Sequence, residues 1–137
     1  MNKKKKWMIL ASCSGMFAII IGAFGAHALD PHLSEKQSEI FKTAQFYHLT
    51  HSILLLILTL TIPLTKPIWH WTLRSVFFGM LLFSGSLYLI AMREIIGFGD
   101  LGLFALVTPL GGLGMVLGWG LIVFAIYRGG LNDEIFK

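Results

Sequence analysis

Apolar positions fall into four long blocks, Trp7–Ala28, Phe46–Leu64, Leu73–Met92 and Leu101–Tyr127, separated by short polar breaks. A helix packed on a soluble core keeps a polar stripe at 3.6-residue spacing. These blocks are apolar all round, and none has Lys, Arg, Asp or Glu in its middle. A hydrocarbon core about 30 Å thick needs roughly 20 such residues at 1.5 Å each. The pattern predicts an all-α protein, a four-helix transmembrane bundle. It forms one integral membrane domain over residues 1–137, with helices over about 7–29, 46–64, 73–92 and 101–127.

The breaks carry their own punctuation. Asp30-Pro31 stops the first helix, because proline disfavours α geometry in the residue before it. Ser34 with Gln37 three residues on has the form of a capping box opening the next helix. Its first turns are wet (Glu35, Lys36, Glu39, Lys42) and it turns apolar at Phe46. Pro63 and Pro67 end it. The loop Thr65–Thr72 then carries Lys66, His70, Trp69 and Trp71, and tryptophan at a loop edge suits a membrane interface. Arg93-Glu94 and a Gly-rich link, Gly97 to Gly102, lead to the last helix. Pro109 should kink that helix, and Tyr127-Arg128 with Gly129-Gly130 close it.

Charge sets the expected orientation. With the N-terminus in the cytoplasm, the inner segments hold eight Lys or Arg (Lys3–Lys6, Lys66, Arg74, Arg128, Lys137) and the outer ones three (Lys36, Lys42, Arg93). That bias places both termini inside. The lysine run, the apolar stretch and Ala26-His27-Ala28 also have the outline of a secretory signal. The apolar run from Trp7 to Ala26 is longer than a signal's core, so an uncleaved spanning helix is expected.

Apolar residues make up 55 % of the chain and charged ones 13 %, which leaves no composition for a soluble domain. The net charge of +4 does not imply nucleic acid, since the basic residues form no face interleaved with aromatics. The lysine run fits anionic headgroups better, and the bilayer is the expected partner. The single cysteine, Cys13, excludes an internal disulfide and any Cys-rich metal site, and reads as a small packing residue.

Small residues recur along the helices. Ala11, Gly15, Ala18, Gly22 and Ala26 stripe the first, with Gly25 beside them; the third has Gly79 and Gly85; the fourth has Gly111, Gly112, Gly114, Gly118 and Gly120. Helices in lipid associate by close approach, which small residues permit. Gly15, Gly22, Gly25, Gly85, Gly111, Gly112, Gly114 and Gly118 are the expected packing positions, within the bundle or between copies of it.

Polar groups at membrane depth are costly and worth locating. His27 falls near the outer end of helix one. His48 and His51, with Tyr47, fall in the first membrane turns of helix two, also at the outer side. Ser84 and Ser86 lie near the middle of helix three and Thr108 in the outer half of helix four. Three uses compete: hydrogen bonding that sets helix register; a zinc, copper or haem site built on imidazole; and a path for a small ligand, quinone or proton. No carboxylate or thiolate accompanies the histidines, which weakens the metal reading, and no metal or cofactor is expected. No nucleophile elbow, P-loop or paired intramembrane acid occurs, so no enzyme is expected.

Four segments match a known pattern in order and spacing. They are Gly22-Ala-Phe-Gly-Ala-His-Ala-Leu29; Thr43-Ala44 with Tyr47-His48-x-x-His51; Phe83-Ser-Gly-Ser-Leu-Tyr88; and Thr108-Pro-Leu-Gly-Gly112 with Gly118-Trp119. Together they make the chain resemble the small membrane proteins known as domain of unknown function 423, a group that includes transmembrane protein 256. The resemblance covers essentially the whole chain. It implies an integral membrane protein of this length and adds little on mechanism. The expected role is a structural or accessory component of the cell membrane, alone, as a homo-oligomer or in a larger complex. The alternative is a binder of a small ligand, proton, metal or haem through the outer histidines.

Overall fold

The computed structural model describes residues 2–97 and 104–129. The described residues form four α-helices: α1 (Lys3–Phe24), α2 (Glu35–Thr61), α3 (Pro67–Met92) and α4 (Phe104–Tyr127). Each has the length and apolarity to cross a membrane.

Local chemistry explains most of the boundaries. Asn2 caps α1 by accepting from the Lys4 backbone N–H at 3.0 Å. After Phe24 the helix widens into a π-type turn, Gly25–Leu29, and then tightens into a 3-10 turn, Asp30–His32. The capping box at α2 is formed: the Gln37 N–H donates to Ser34 Oγ, and the Ser34 N–H donates to Gln37 Oε1 at 2.8 Å. The wet first turns and the apolar stretch of α2 are therefore one continuous helix. It ends at Thr61, ahead of Pro63 and short of the expected Leu64.

Helix α3 begins at Pro67, not at Leu73 as expected. Proline lacks only an N–H that the first helical turn leaves unpaired anyway, so it starts a helix as readily as it stops one. The segment expected as a tryptophan-bearing loop is helical, and its tryptophans separate. Trp71 is 62 % exposed, whereas Trp69 is fully buried in the core, so only Trp71 takes a surface position. Helix α4 runs through Pro109, and Gly129, at φ +66°, turns the chain away after it.

The helices pack in chain order: α1 on α2, α2 on α3, and α3 most closely on α4. The larger core joins Leu55, Leu58 and Trp69 to Leu73, Val76 and Met80, with Met115 and Ile122 from α4. A smaller one near the opposite end joins Leu29, Phe41, Ala44, Tyr88 and Ala91. The outward faces of α1 and α4 expose Phe17, Ile20, Leu113, Val116 and Val123, as lipid-facing helices do.

Glycine sets the α3–α4 distance. A Cβ placed on Gly114 would lie 3.0 Å from Gly79 Cα, and one on Gly118 3.2 Å from the Val76 backbone nitrogen. Gly79 and Gly111 are confined more tightly still, by the Met115 and Phe83 backbone across the interface. On α1, Gly22 lies under Gln45 and Gly25 under the Phe41 ring. Gly15 and Gly112 make only ordinary contacts, and Gly85 faces open space.

Candidate functional site

The sequence-expected polar residues divide into three groups. His48 lies at the centre of the first. Its Nε2 is 3.1 Å from Ser14 Oγ on α1, and Ser14 Oγ is 2.7 Å from Ser52 Oγ on α2. Ser52 Oγ donates to the His48 carbonyl at 2.7 Å. Each hydroxyl here can donate or accept, and the imidazole tautomer sets the order. His48 Nδ1 is the other ring nitrogen. It is buried without a hydrogen-bond partner, and so are Ser84 Oγ and Tyr88 OH. The His48 and Tyr88 rings meet edge to face at 6.1 Å, and Ser84 and Tyr88 are one turn apart on α3. Met80 Sδ closes the group 3.6 Å from Ser52 Oγ.

The second group is His51 and Tyr47. His51 Nδ1 donates to the Tyr47 carbonyl of its own helix at 2.9 Å, and the two rings stack at 5.8 Å. Tyr47 also meets the Phe83 ring at 4.8 Å. The third group joins α3 to α4, with Ser86 Oγ 2.7 Å from Thr108 Oγ1. On the same interface Ser75 Oγ donates to the Gly114 carbonyl at 2.7 Å.

His27 joins none of these groups. It is exposed on the π-type turn. Thirteen residues separate it from Ser14, roughly 20 Å along a helix. The three histidines therefore do not converge. Among the described residues no three His, Cys, Asp or Glu side chains are grouped as a metal site requires.

The depth of His48 also differs from the sequence reading. Its partner Ser14 is near the middle of α1, and Met80, beside Ser52, is near the middle of α3. Phe41 already packs on Gly25 at the end of α1, so α2 is packed in the bundle before Phe46. His48 sits toward the centre of the bundle, not in its outermost turns.

Sequence reasoning left Ser14, Ser52 and Tyr88 out of the candidate cluster. A signal existed for each. Ser14 stands between Ala11 and Ala18 on the small, buried stripe of α1, Ser52 is one turn after His48, and Tyr88 is one turn after Ser84.

A second set of polar residues gathers at the end of the bundle where α1 starts and α2 stops. Lys4 Nζ donates to the Leu60 carbonyl at 2.9 Å, and Lys66 Nζ donates to the Gly129 carbonyl at 2.7 Å. Both ammonium groups thus meet the negative ends of helices, α2 and α4. Arg74 lies over the Trp71 ring, 5.5 Å from its centroid.

Comparison with known proteins places this geometry. The family described as Protein of unknown function (DUF423) matches residues 21–112. A UPF0382 membrane protein of Staphylococcus epidermidis is 35 % identical over 124 residues, covering 90 % of this chain and 97 % of the relative. The UPF0382 membrane protein YwdK of Bacillus subtilis is 31 % identical over 126 residues, covering 90 % and 98 %. The UPF0382 inner membrane protein YgdD of Escherichia coli is 33 % identical over 122 residues, covering 88 % of each. No solved structure matches the chain.

Proposed function

This chain belongs to the DUF423 family of membrane proteins, and from that premise we propose that it is a non-enzymatic accessory component of the cytoplasmic membrane. It acts by helix packing, with a second copy of itself or with a larger complex. One observation carries this reading: polar side chains within the bundle tie helix to helix. Ser14 joins α1 to α2, while Ser75 and Ser86 join α3 to α4. Hydroxyls such as Thr50, Thr59 and Thr72 bond back to carbonyls of their own turns. The bonds between helices fix register, and the bonds back to the same helix satisfy hydroxyls that have no water to turn to in lipid.

The orientation that fits is both termini in the cytoplasm. The positive-inside bias supports it, as does the gathering of Lys4, Lys66 and Gly129 at one end.

The test is crosslinking in native membranes followed by purification in mild detergent. A reproducible partner or a discrete oligomer is the expected result. A protein that remains monomeric and alone in crosslinked membranes overturns the assembly role.

A second reading rests on His48 Nδ1, Ser84 Oγ and Tyr88 OH, three polar atoms buried without partners. Small hydrogen-bonding guests, water above all, would satisfy such atoms. Replacing His48 by Phe removes the unpaired nitrogen, together with the one that meets Ser14, and keeps an aromatic ring. Greater stability in the variant, read by thermal unfolding in detergent, would count against a bound guest.

A further inference from the structure

Two cavities meet at Trp71 and Arg74. The first, about 690 Å³, is an apolar groove along the α3–α4 seam. Its walls include Phe78 and Leu82 from α3 and Leu110 and Leu117 from α4, and it runs over Gly79 and Gly114. The second, about 370 Å³, is lined by Lys3, Lys6 and His70 together with Trp71 and Arg74. We propose that the pair forms one binding site for an anionic glycerophospholipid, its acyl chain in the groove and its phosphate among the cations.

Three observations point to that occupant. The first is charge. The described carboxylates, Asp30, Glu35, Glu39 and Glu94, flank the opposite ends of the helices, so nothing acidic among the described residues competes for Arg74, Lys3 and Lys6. The second is geometry at the junction. The Trp71 ring holds the Arg74 guanidinium where the apolar groove gives way to the cationic cavity, and guanidinium matches phosphate oxygens in a two-point contact. The third is length. From Leu110 to Leu121 the groove follows α4 for about 16 Å, roughly half of a 30 Å hydrocarbon core. That length suits a chain from one leaflet, the one on the cationic side. Gly79 and Gly114 let α3 and α4 meet so closely that the larger side chains beside them become the walls of a channel.

The site does not depend on the accessory role above, because a monomer contains all of it. Native mass spectrometry of the full chain in mild detergent tests it, with dioleoyl phosphatidylglycerol or dioleoyl phosphatidylcholine added. The expected result is at least tenfold preference for phosphatidylglycerol. Arg74→Gln should lower that preference about fivefold, and Lys3→Gln with Lys6→Gln should lower it further, as expected for cations near an anionic surface. Arg74→Lys should restore part of it. Lys36→Gln with Lys42→Gln removes equal charge at the other end and should change nothing. Leu117→Trp narrows the groove and should weaken retention of both lipids alike. Equal retention of the two lipids by the unaltered protein overturns the proposal. So does a loss in the Lys36/Lys42 variant as large as that in Arg74→Gln. Thermal unfolding of each variant in the same detergent confirms that a lost preference is not a lost fold.

Discussion

Gly114 and Gly85 look alike in the sequence, yet they differ at the scale of single residues. Gly114 has the Gly79 Cα for a neighbour, whereas Gly85 faces nothing within contact distance. A side chain at Gly114 must push α3 and α4 apart, and overpacking of this kind costs about 1–3 kcal/mol. Gly114→Leu should therefore lower the free energy of unfolding in detergent by that margin. Gly85→Ala should be neutral or raise stability by up to about 1 kcal/mol, through helix propensity alone. Ser14 and His27 form a similar pair. Ser14→Ala removes a partner from both His48 and Ser52, and intramembrane hydrogen bonds average about 0.6 kcal/mol with a maximum near 1.7. The loss should fall in that range. His27→Ala, at an exposed position, should stay within about 0.5 kcal/mol of the unaltered protein in the same unfolding experiment.

At the scale of elements, hydrophobic run length located four helices, and capping chemistry corrected their ends. The Ser34–Gln37 box was readable because it acts within a few residues; the Asp30-Pro31 stop was not, since Asp30 keeps helical dihedrals and the chain turns on through His32 to the extended Leu33. The start of α3 was missed because proline carries two opposite meanings, stop and start. Only the packing of Trp69 in the core resolves them. The α3–α4 pair offers a direct test of coupling between elements. Ser86 and Thr108 face each other across it, so Ser86→Ala and Thr108→Val should show a coupling energy of about 0.6 kcal/mol in a double-mutant cycle. Additive effects would show that the two hydroxyls do not stabilise one another across the pair.

At the scale of the whole molecule, the described carboxylates gather at one end of the bundle. Asp30, Glu35 and Glu39 mark that end, and Lys4, Lys66 and Arg74 the other. If the cationic end is cytoplasmic, a membrane-impermeant maleimide added to intact cells should label Lys36→Cys and spare Lys66→Cys, both on a Cys13→Ala background. The reverse pattern would invert the topology. Hydropathy alone established that lipid is the solvent, that four helices cross it and roughly where they break, because these properties sum over residues regardless of how helices rotate. Rotation and depth are decided by packing. The tertiary structure put His48 against Ser14 near mid-bundle, left His27 exposed, and brought Arg74 beside Lys3 and Lys6 from a distant part of the chain. A helix apolar on every side gives no preferred face, so only contact between backbones at glycine, and the hydrogen bonds that contact allows, determined which polar groups meet.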